Sequence, residues 1–170
     1  RITGASLIAN PGCFATAIQL ALLPLAAAGK LDSEVQVTAN TGSTGAGVKP
    51  GATTHFSWRD NNLSAYKVFE HQHLIEIKRD LETLSGQDDI AINFVPMRGD
   101  FTRGIFASVY TDCDLSDEEA VRLYKDFYKD AAFTHVSDKP VDLKQVVNTN
   151  KALVHVEKHG SKLVICSVID

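Results

Sequence analysis

The sequence has few cysteines, and they are not paired. Its 170 residues contain only three, Cys13, Cys113 and Cys166, and no two of them are close along the chain. An odd number of scattered cysteines builds neither a disulfide framework nor a zinc site, because both need paired spacings. Such thiols are typical of a reducing compartment, so we expect a cytoplasmic protein.

The sequence also lacks a large charge of one sign and a long apolar run. It has 17 basic and 21 acidic residues, a net charge of −4, and no basic patch. This composition argues against nucleic acid or an anionic membrane as a partner, and no apolar run approaches the roughly 20 residues that span a bilayer. The chain starts at Arg1 without an initiator methionine or signal-peptide pattern and stops at Asp170. We therefore expect a piece of a longer protein.

The composition and the pattern of apolar residues predict one globular domain covering residues 1–170. The apolar content is 44% and the charged content 22%, as in ordinary globular proteins. Helices are predicted from Cys13 to about Gly29, over 74–84 and from Ser116 onward. Strands are predicted over 35–39, 64–68, 90–95, 105–110, 152–156 and 162–169, with a turn at 96–100. The excess of strands predicts an α+β fold, an antiparallel or mixed sheet with helices packed on one face.

The segment around Cys13 carries the strongest chemical signal. An apolar run, Leu7–Ala9, breaks at Asn10-Pro11-Gly12, and a helical pattern begins directly afterwards. Backbone N–H groups and the helix dipole at a helix start favour a thiolate over a thiol. We therefore interpret Cys13 as a nucleophile. The alternative, a cysteine packed as a small hydrophobic residue, is preferred for Cys113 and Cys166.

Two histidines are candidates for the partner of that nucleophile. His71 and His73 lie two residues apart, which places both on one side of an extended segment. A metal site is the weaker interpretation because no third ligand is nearby. Acid/base assistance to Cys13 agrees better with nucleophilic catalysis, although a histidine with a purely structural role remains an alternative.

A glycine-rich loop and an arginine complete the candidates. The loop Gly42-Ser43-Thr44-Gly45-Ala46-Gly47 has neither Walker nor dinucleotide-fold spacing, but its backbone amides can approach an anion or a cofactor closely. Arg103 precedes Gly104 at the start of a predicted strand, where a guanidinium can hold a phosphate or carboxylate. Arg98 competes with it, and solvated arginines are the alternative for both.

Together these segments resemble N-acetyl-gamma-glutamyl-phosphate reductase. The resemblance covers Ile8-Ala9-Asn10-Pro11-Gly12-Cys13-Phe14-Ala15-Thr16-Ala17, Gly45-Ala46-Gly47, the segment 62–68, His71-Gln72-His73 with Glu76-Ile77, Arg103-Gly104-Ile105 and Ser167-Val168-Ile169-Asp170. Two departures stand out. Gln72 occupies the place of the arginine that the family usually carries between the histidines, and the family's glycine-rich dinucleotide-binding domain is absent from this chain.

The resemblance implies a catalytic and dimerisation domain similar to the C-terminal domain of glyceraldehyde-3-phosphate dehydrogenase. It implies NADP (NADPH) as cofactor, an acyl phosphate as substrate, a homo-oligomer, and a fragment that is inactive alone. Cys13 would form a thioester, with His73 narrowly preferred over His71 for proton transfer. Arg103, Ser43, Thr44, Gln72 and Glu76 would contact substrate, and Gly45, Ala46 and Gly47 the cofactor. The alternatives are another semialdehyde dehydrogenase, such as aspartate-semialdehyde dehydrogenase, and a non-catalytic oligomerisation domain.

Overall fold

Seven strands form one mixed sheet in the computed structural model, which describes residues 2–170. The strands are β1 (Val35–Thr41), β2 (Ser64–Ala65), β3 (Ile92–Arg98), β4 (Ile105–Asp112), β5 (Thr134–Ser137), β6 (Ala152–His159) and β7 (Lys162–Ile169). Their order is β2-β3-β1-β4-β7-β6-β5. The pairs β1/β3 and β5/β6 are parallel and all others antiparallel, so the predicted mixed sheet is confirmed.

The helices are α1 (Cys13–Ala27), α2 (Phe56–Arg59), α3 (His73–Ser85) and α4 (Asp117–Tyr128), with 3-10 turns at Ser43–Ala46, Ala52–Thr54 and Leu143–Gln145. Helices α1, α3 and α4 pack on one face of this sheet, as predicted, whereas the short helix α2 packs mainly against the 3-10 turn Ala52–Thr54. Helix α1 contacts α3, α4, β4 and β7, so it is the centre of the core. Its buried side chains include Phe14, Ile18 and Leu22. None of the helices among residues 2–170 has the length and apolar character to cross a membrane.

Local sequence signals fix where these helices start and stop. Gly29 and Gly86 follow α1 and α3 with φ of 63° and 72°, a backbone conformation that favours glycine. At the start of α4, Ser116 Oγ accepts from the Glu119 N–H at 3.2 Å, and the Glu119 carboxylate accepts from the Ser116 N–H at 2.9 Å. The predicted capping box is therefore confirmed.

The predicted turn at 96–100 is wrong at its start, because β3 continues through Pro96 to Arg98. The Pro96 carbonyl accepts from the Tyr66 N–H at 3.1 Å, which shows that the backbone polar groups of residue 96 face β2. An N–H at this position would point to the same side, where β2 is only two residues long. The proline thus removes a donor that the short edge strand does not use.

Two further strand predictions needed correction. The predicted strand 64–68 is reduced to Ser64–Ala65, and β5, whose four residues carry no clear alternation, was not predicted at all. Cys166, predicted to pack as a small hydrophobic residue, is only half-buried, on the sheet face opposite the helices. Only part of that face is covered, where Val141 and Val146 pack on Val168.

Candidate active site

Cys13 is the first residue of α1 and its side chain is exposed to solvent. Gly12 is the N-cap, has no side chain to satisfy the first turn, and accepts a hydrogen bond from the Thr16 N–H at 2.8 Å. The thiol therefore lies at a helix start whose backbone N–H groups have no intrahelical acceptor. This is the placement that the sequence predicted.

A cavity of about 290 Å³, here called the Cys13 cavity, brings the candidates together. It forms where the start of α1 meets the C-terminal ends of β1 and β3, which lie at one edge because these strands are parallel. Its lining comprises Cys13, Phe14, Thr41, Gly42, Gly45, Ala46, Tyr66, Lys67, His71, Gln72, His73 and Arg98. Cys13, both histidines and the glycine loop thus converge as predicted, from segments up to 60 residues apart in the sequence (73 − 13).

His73 lies against the backbone that carries the thiol. A Cβ built on Gly12 would be 2.3 Å from Nε2 of His73, so the ring occupies the space that any other residue at position 12 would fill. Nδ1 of His73 is buried without a hydrogen-bond partner among the described residues. Burial lowers the pKa of His73, and the charge of Glu76 acts in the opposite direction. The ring is therefore held in the neutral form that a proton acceptor requires.

His71 has a different environment although it lines the same cavity. Only 4% of its surface is exposed, and its ring contacts Phe14, Phe94 and Tyr66 edge-on. Its Nδ1 accepts from the His73 N–H at 3.2 Å, so the neutral ring carries its proton on Nε2. Burial, followed by the neighbouring positive groups, lowers the pKa of His71 to about 4. His71 thus secures the start of α3.

Gln72 and Glu76 take positions that the sequence did not specify. Gln72 is exposed on the rim of the Cys13 cavity, where its Oε1 accepts from Lys67 Nζ at 2.8 Å. Glu76 is not part of the lining; its Oε2 accepts from the Gly12 N–H at 3.2 Å and ties α3 to the turn before Cys13. Substrate contact by either residue stays a prediction.

The glycine loop is anchored to the segment before β4. Gly42 N–H donates to Gly104 O at 2.9 Å, and a Cβ on Gly42 would be 2.6 Å from the Thr102 carbonyl oxygen. The hydroxyls of Ser43 and Thr44 both donate to that same carbonyl, at 3.4 and 3.0 Å. In this arrangement the two hydroxyls hold the loop, and their donation to a substrate stays a prediction. Gly45 and Ala46 line the cavity, whereas Gly47 lies outside the lining.

Arg103 lies beside Cys13 in a second, smaller cavity of about 170 Å³, here called the Arg103 cavity. Its guanidinium is already paired: Nε and Nη2 donate to the Asp170 carboxylate at 3.0, 3.1 and 2.6 Å. Asp170 also accepts a hydrogen bond from the Asn148 N–H. The hydrogen bonds from Arg103 and Asn148 lower the pKa of the Asp170 carboxyl. Arg103 therefore lines a cavity together with the nucleophile, but its charge is balanced by Asp170, and its binding of a phosphate or carboxylate stays a prediction.

The sequence did not identify Tyr66 and Lys67 as lining residues. It offered Arg98 only as an alternative to Arg103 for binding a phosphate or carboxylate. The parallel pairing of β1 and β3 would have placed Arg98 correctly, since it puts Arg98 directly opposite Thr41 at the base of the glycine loop. Within residues 2–170, no cluster of three or more histidine, cysteine or acidic side chains is arranged to hold a metal ion.

The chain is similar to named proteins over nearly its whole length. Over 163 residues the chain is 60% identical to an N-acetyl-gamma-glutamyl-phosphate reductase of Bacteroides fragilis, covering 96% of this chain and 51% of that protein. It is 56% identical to the protein of that name from Parabacteroides distasonis, covering 100% and 53%. The chain thus spans about half the length of these relatives.

Solved structures share the fold at low sequence identity. A probable aspartate-semialdehyde dehydrogenase from Pseudomonas aeruginosa superposes with a TM-score of 0.71 at 15% identity, covering 100% of this chain and 60% of that one. Aspartate semialdehyde dehydrogenase II from Vibrio cholerae gives 0.69 at 17% identity, covering 96% and 56%. The family model described as "Semialdehyde dehydrogenase, dimerisation domain" matches residues 13–170, from the exposed thiol to the end of the chain. This chain belongs to the semialdehyde dehydrogenase dimerisation-domain family.

Proposed function

We propose that this chain is the catalytic and dimerisation part of an NADPH-dependent N-acyl-gamma-glutamyl-phosphate reductase acting in arginine biosynthesis in the cytoplasm. The observation that carries the proposal is the exposed Cys13 thiol at the start of α1, in one cavity with His73. The names of relatives 56–60% identical to it support the substrate class.

The chain's own residues account for the acyl-transfer step. The Cys13 sulfur attacks the acyl carbon of the acyl phosphate, an S–C bond forms, and the C–O bond to the phosphoryl group breaks. Phosphate leaves with the electron pair of that bond, and a thioester remains on Cys13. Backbone N–H groups at the start of α1 stabilise the negative oxygen that forms during attack. His73 accepts the thiol proton before attack and passes it to the oxygen of the departing phosphate.

The cofactor site is only partly formed by this chain. Gly45 and Ala46 line the Cys13 cavity without a side chain larger than a methyl group, which allows a flat ring to approach the thioester. When bound, NADPH supplies the hydride that converts the thioester to the semialdehyde. We propose that the dinucleotide-binding domain lies outside this chain, so complete turnover requires the longer protein.

Acyl transfer itself tests the proposal, because it needs no hydride. Freshly prepared N-acetyl-gamma-glutamyl phosphate should release phosphate and leave a hydroxylamine-sensitive acyl group on Cys13, detected by peptide mass spectrometry. Cys13→Ser should abolish the thioester, whereas Cys113→Ser, at a half-buried thiol outside the cavity, should retain it. An unmodified Cys13 in the parent chain would contradict the proposal.

The two alternatives give different results in the same experiment. Faster acylation by beta-aspartyl phosphate would favour an aspartate-semialdehyde dehydrogenase, the activity named for the structural neighbours at 15–17% identity. A Cys13 that reacts with neither acyl phosphate, and with iodoacetamide no faster than free cysteine, would favour a non-catalytic domain.

We further propose that a second copy of this chain covers the sheet face opposite the helices. The family description names dimerisation, and this face leaves Tyr110 42% exposed beside the half-buried Ser108, Val164 and Cys166. An apolar sheet surface of this kind is a typical contact between subunits. A homodimer is therefore the proposed assembly.

A further inference from the structure

The charges around Cys13 are distributed unequally between two of the cavities that it lines. The Cys13 cavity carries Arg98 and Lys67, whereas the Arg103 cavity carries Arg103 together with Asp170. A substrate that places its reacting carbon at the Cys13 sulfur lies where these two cavities meet. The side on which each of its charged groups binds then depends on which cations are free of partners.

Arg98 is held in place without being neutralised. It ends β3, its guanidinium carbon lies 4.0 Å from the centre of the Tyr66 ring, and its Nη1 donates to Thr53 Oγ1 at 2.7 Å. These contacts orient the guanidinium but carry no negative charge. Among residues 2–170, no carboxylate oxygen lies within 4.0 Å of Arg98 or Lys67.

Lys67 lines the same cavity and has a left-handed backbone conformation. Its φ is 46°, in the left-handed region that a residue with a side chain seldom adopts. Such conformations persist where the surrounding structure fixes them, and they concentrate at functional sites. The Lys67 ammonium donates to the neutral amide oxygen of Gln72 at 2.8 Å, so it too is oriented and keeps its charge.

The effect of both cations is felt inside the cavity. After burial and the neighbouring His73, Lys67 and Arg98 are the groups that lower the pKa of His71. The Glu76 carboxylate, on α3, accepts a hydrogen bond from the Gly12 N–H and lies outside the lining. By contrast, the Arg103–Asp170 pair on the other side of the thiol is close to neutral.

We propose that Arg98 and Lys67 form an oxyanion subsite that binds the phosphoryl group of the acyl phosphate, and orthophosphate once it has left. This deepens the proposed function and rests on it. As the C–O bond breaks, the bridging oxygen gains negative charge, which two free cations stabilise more strongly than one paired cation. The singly charged carboxylate of the substrate then faces Arg103, whose Nη1 is not used by Asp170.

The subsite can be tested on this chain with two alkylating reagents that differ only in charge. Iodoacetate is an anion and iodoacetamide is neutral, so the ratio of their rate constants at Cys13 reports the local field. Arg98→Gln and Lys67→Gln should each lower that ratio about two- to fourfold, the contribution of one unit charge several ångströms away in water. Arg98→Lys keeps the charge and should keep the ratio, and Lys139→Gln, at an exposed lysine outside both cavities, is the matched control.

Inorganic phosphate supplies the second measurement. At constant ionic strength, phosphate should slow iodoacetamide modification of Cys13 in the parent chain more than chloride does. That protection should weaken in Arg98→Gln and Lys67→Gln and persist in Lys139→Gln. Unchanged ratios in both glutamine variants, or protection lost only in Arg103→Gln, would overturn the proposal. A Cys13 that stays unacylated by acyl phosphate while the charge ratio behaves as expected would instead overturn the proposed reaction and leave the anion subsite intact.

Discussion

The imidazole of His73 occupies the space in which Gly12 would carry a side chain. A Cβ on Gly12 would be 2.3 Å from Nε2 and 2.5 Å from Cε1 of the ring, far inside any permitted contact. The sequence around the nucleophile and the position of the histidine are thus coupled across 61 residues (73 − 12). The glycine before Cys13 serves two purposes, since it caps α1 and admits the ring.

We therefore expect Gly12→Ala to displace His73 from the nucleophile. The acylation of Cys13 by acyl phosphate should slow by about 10²-fold, as expected when a proton-transfer group is lost. Gly51→Ala is the control, because a Cβ there meets only Thr54 Oγ1 at 3.8 Å and the φ of −154° suits alanine. Rapid-quench measurement of phosphate release decides the question, and equal rates in both variants would contradict the role of Gly12.

The buried position of His71 gives a pH dependence of stability with a definite sign. Its folded pKa is about 4, below the value of about 6.5 in an unfolded chain, so the unfolded state binds more protons between these values. The free energy of unfolding contributed by this group should therefore fall as pH is lowered from about 6.5 towards 4.

Urea denaturation across this range measures the effect, and the His71 ring resonances should not titrate above pH 6. In His71→Gln the stability loss between pH 6.5 and 4 should be smaller than in the parent chain. A His71 resonance that titrates near pH 6.5 would contradict the buried neutral ring.

Pro24 inside α1 removes one backbone hydrogen bond of that helix, and a side chain of α4 replaces it. Proline lacks an N–H, so the Leu20 carbonyl loses its helical donor, and the Tyr128 hydroxyl donates to that carbonyl at 2.7 Å. Tyr128→Phe should lower the free energy of unfolding by about 1–2 kcal/mol, because it leaves a partly buried carbonyl unpaired.

A double-mutant cycle checks this explanation. Pro24→Ala returns an N–H to position 24, so Tyr128→Phe should cost less in that background than in the parent chain. Chemical denaturation of the four proteins gives the coupling energy. A coupling of zero would show that Tyr128 acts through packing alone.

The proposed dimer face predicts a simple dissociation experiment. Tyr110→Glu and Val164→Glu place a carboxylate on the exposed sheet face, so each should shift a dimer to monomer in sedimentation velocity. Phe127→Glu, at a 41% exposed aromatic on α4 and therefore on the helical side, should leave the dimer intact. A dimer that survives both sheet-face substitutions would contradict the assignment of this surface.

The sequence by itself determined the elements whose signals are local. Glycine stops, the Ser116–Glu119 capping box and the turn before Cys13 predicted the helices and placed the thiol at a helix start, because neighbouring residues decide those features. Local signals could not predict strand β5, because it depends on pairing with β6. They also could not predict that β3 continues through Pro96, because this depends on the shortness of β2.

Only the tertiary structure decided the chemistry within the site. The two histidines are equivalent by spacing, and they differ only because α3 turns one towards Gly12 and buries the other among aromatic rings. The structure also favours Arg98 over Arg103 as the arginine available to bind an anion, again because of contacts between residues distant in sequence. Asp170, 67 residues away, balances Arg103. Parallel pairing of β1 and β3 places Arg98 in the same cavity as the cysteine, and among residues 2–170 no carboxylate pairs with it. Burial and charge balance arise from residues distant in sequence, so no local pattern encodes them.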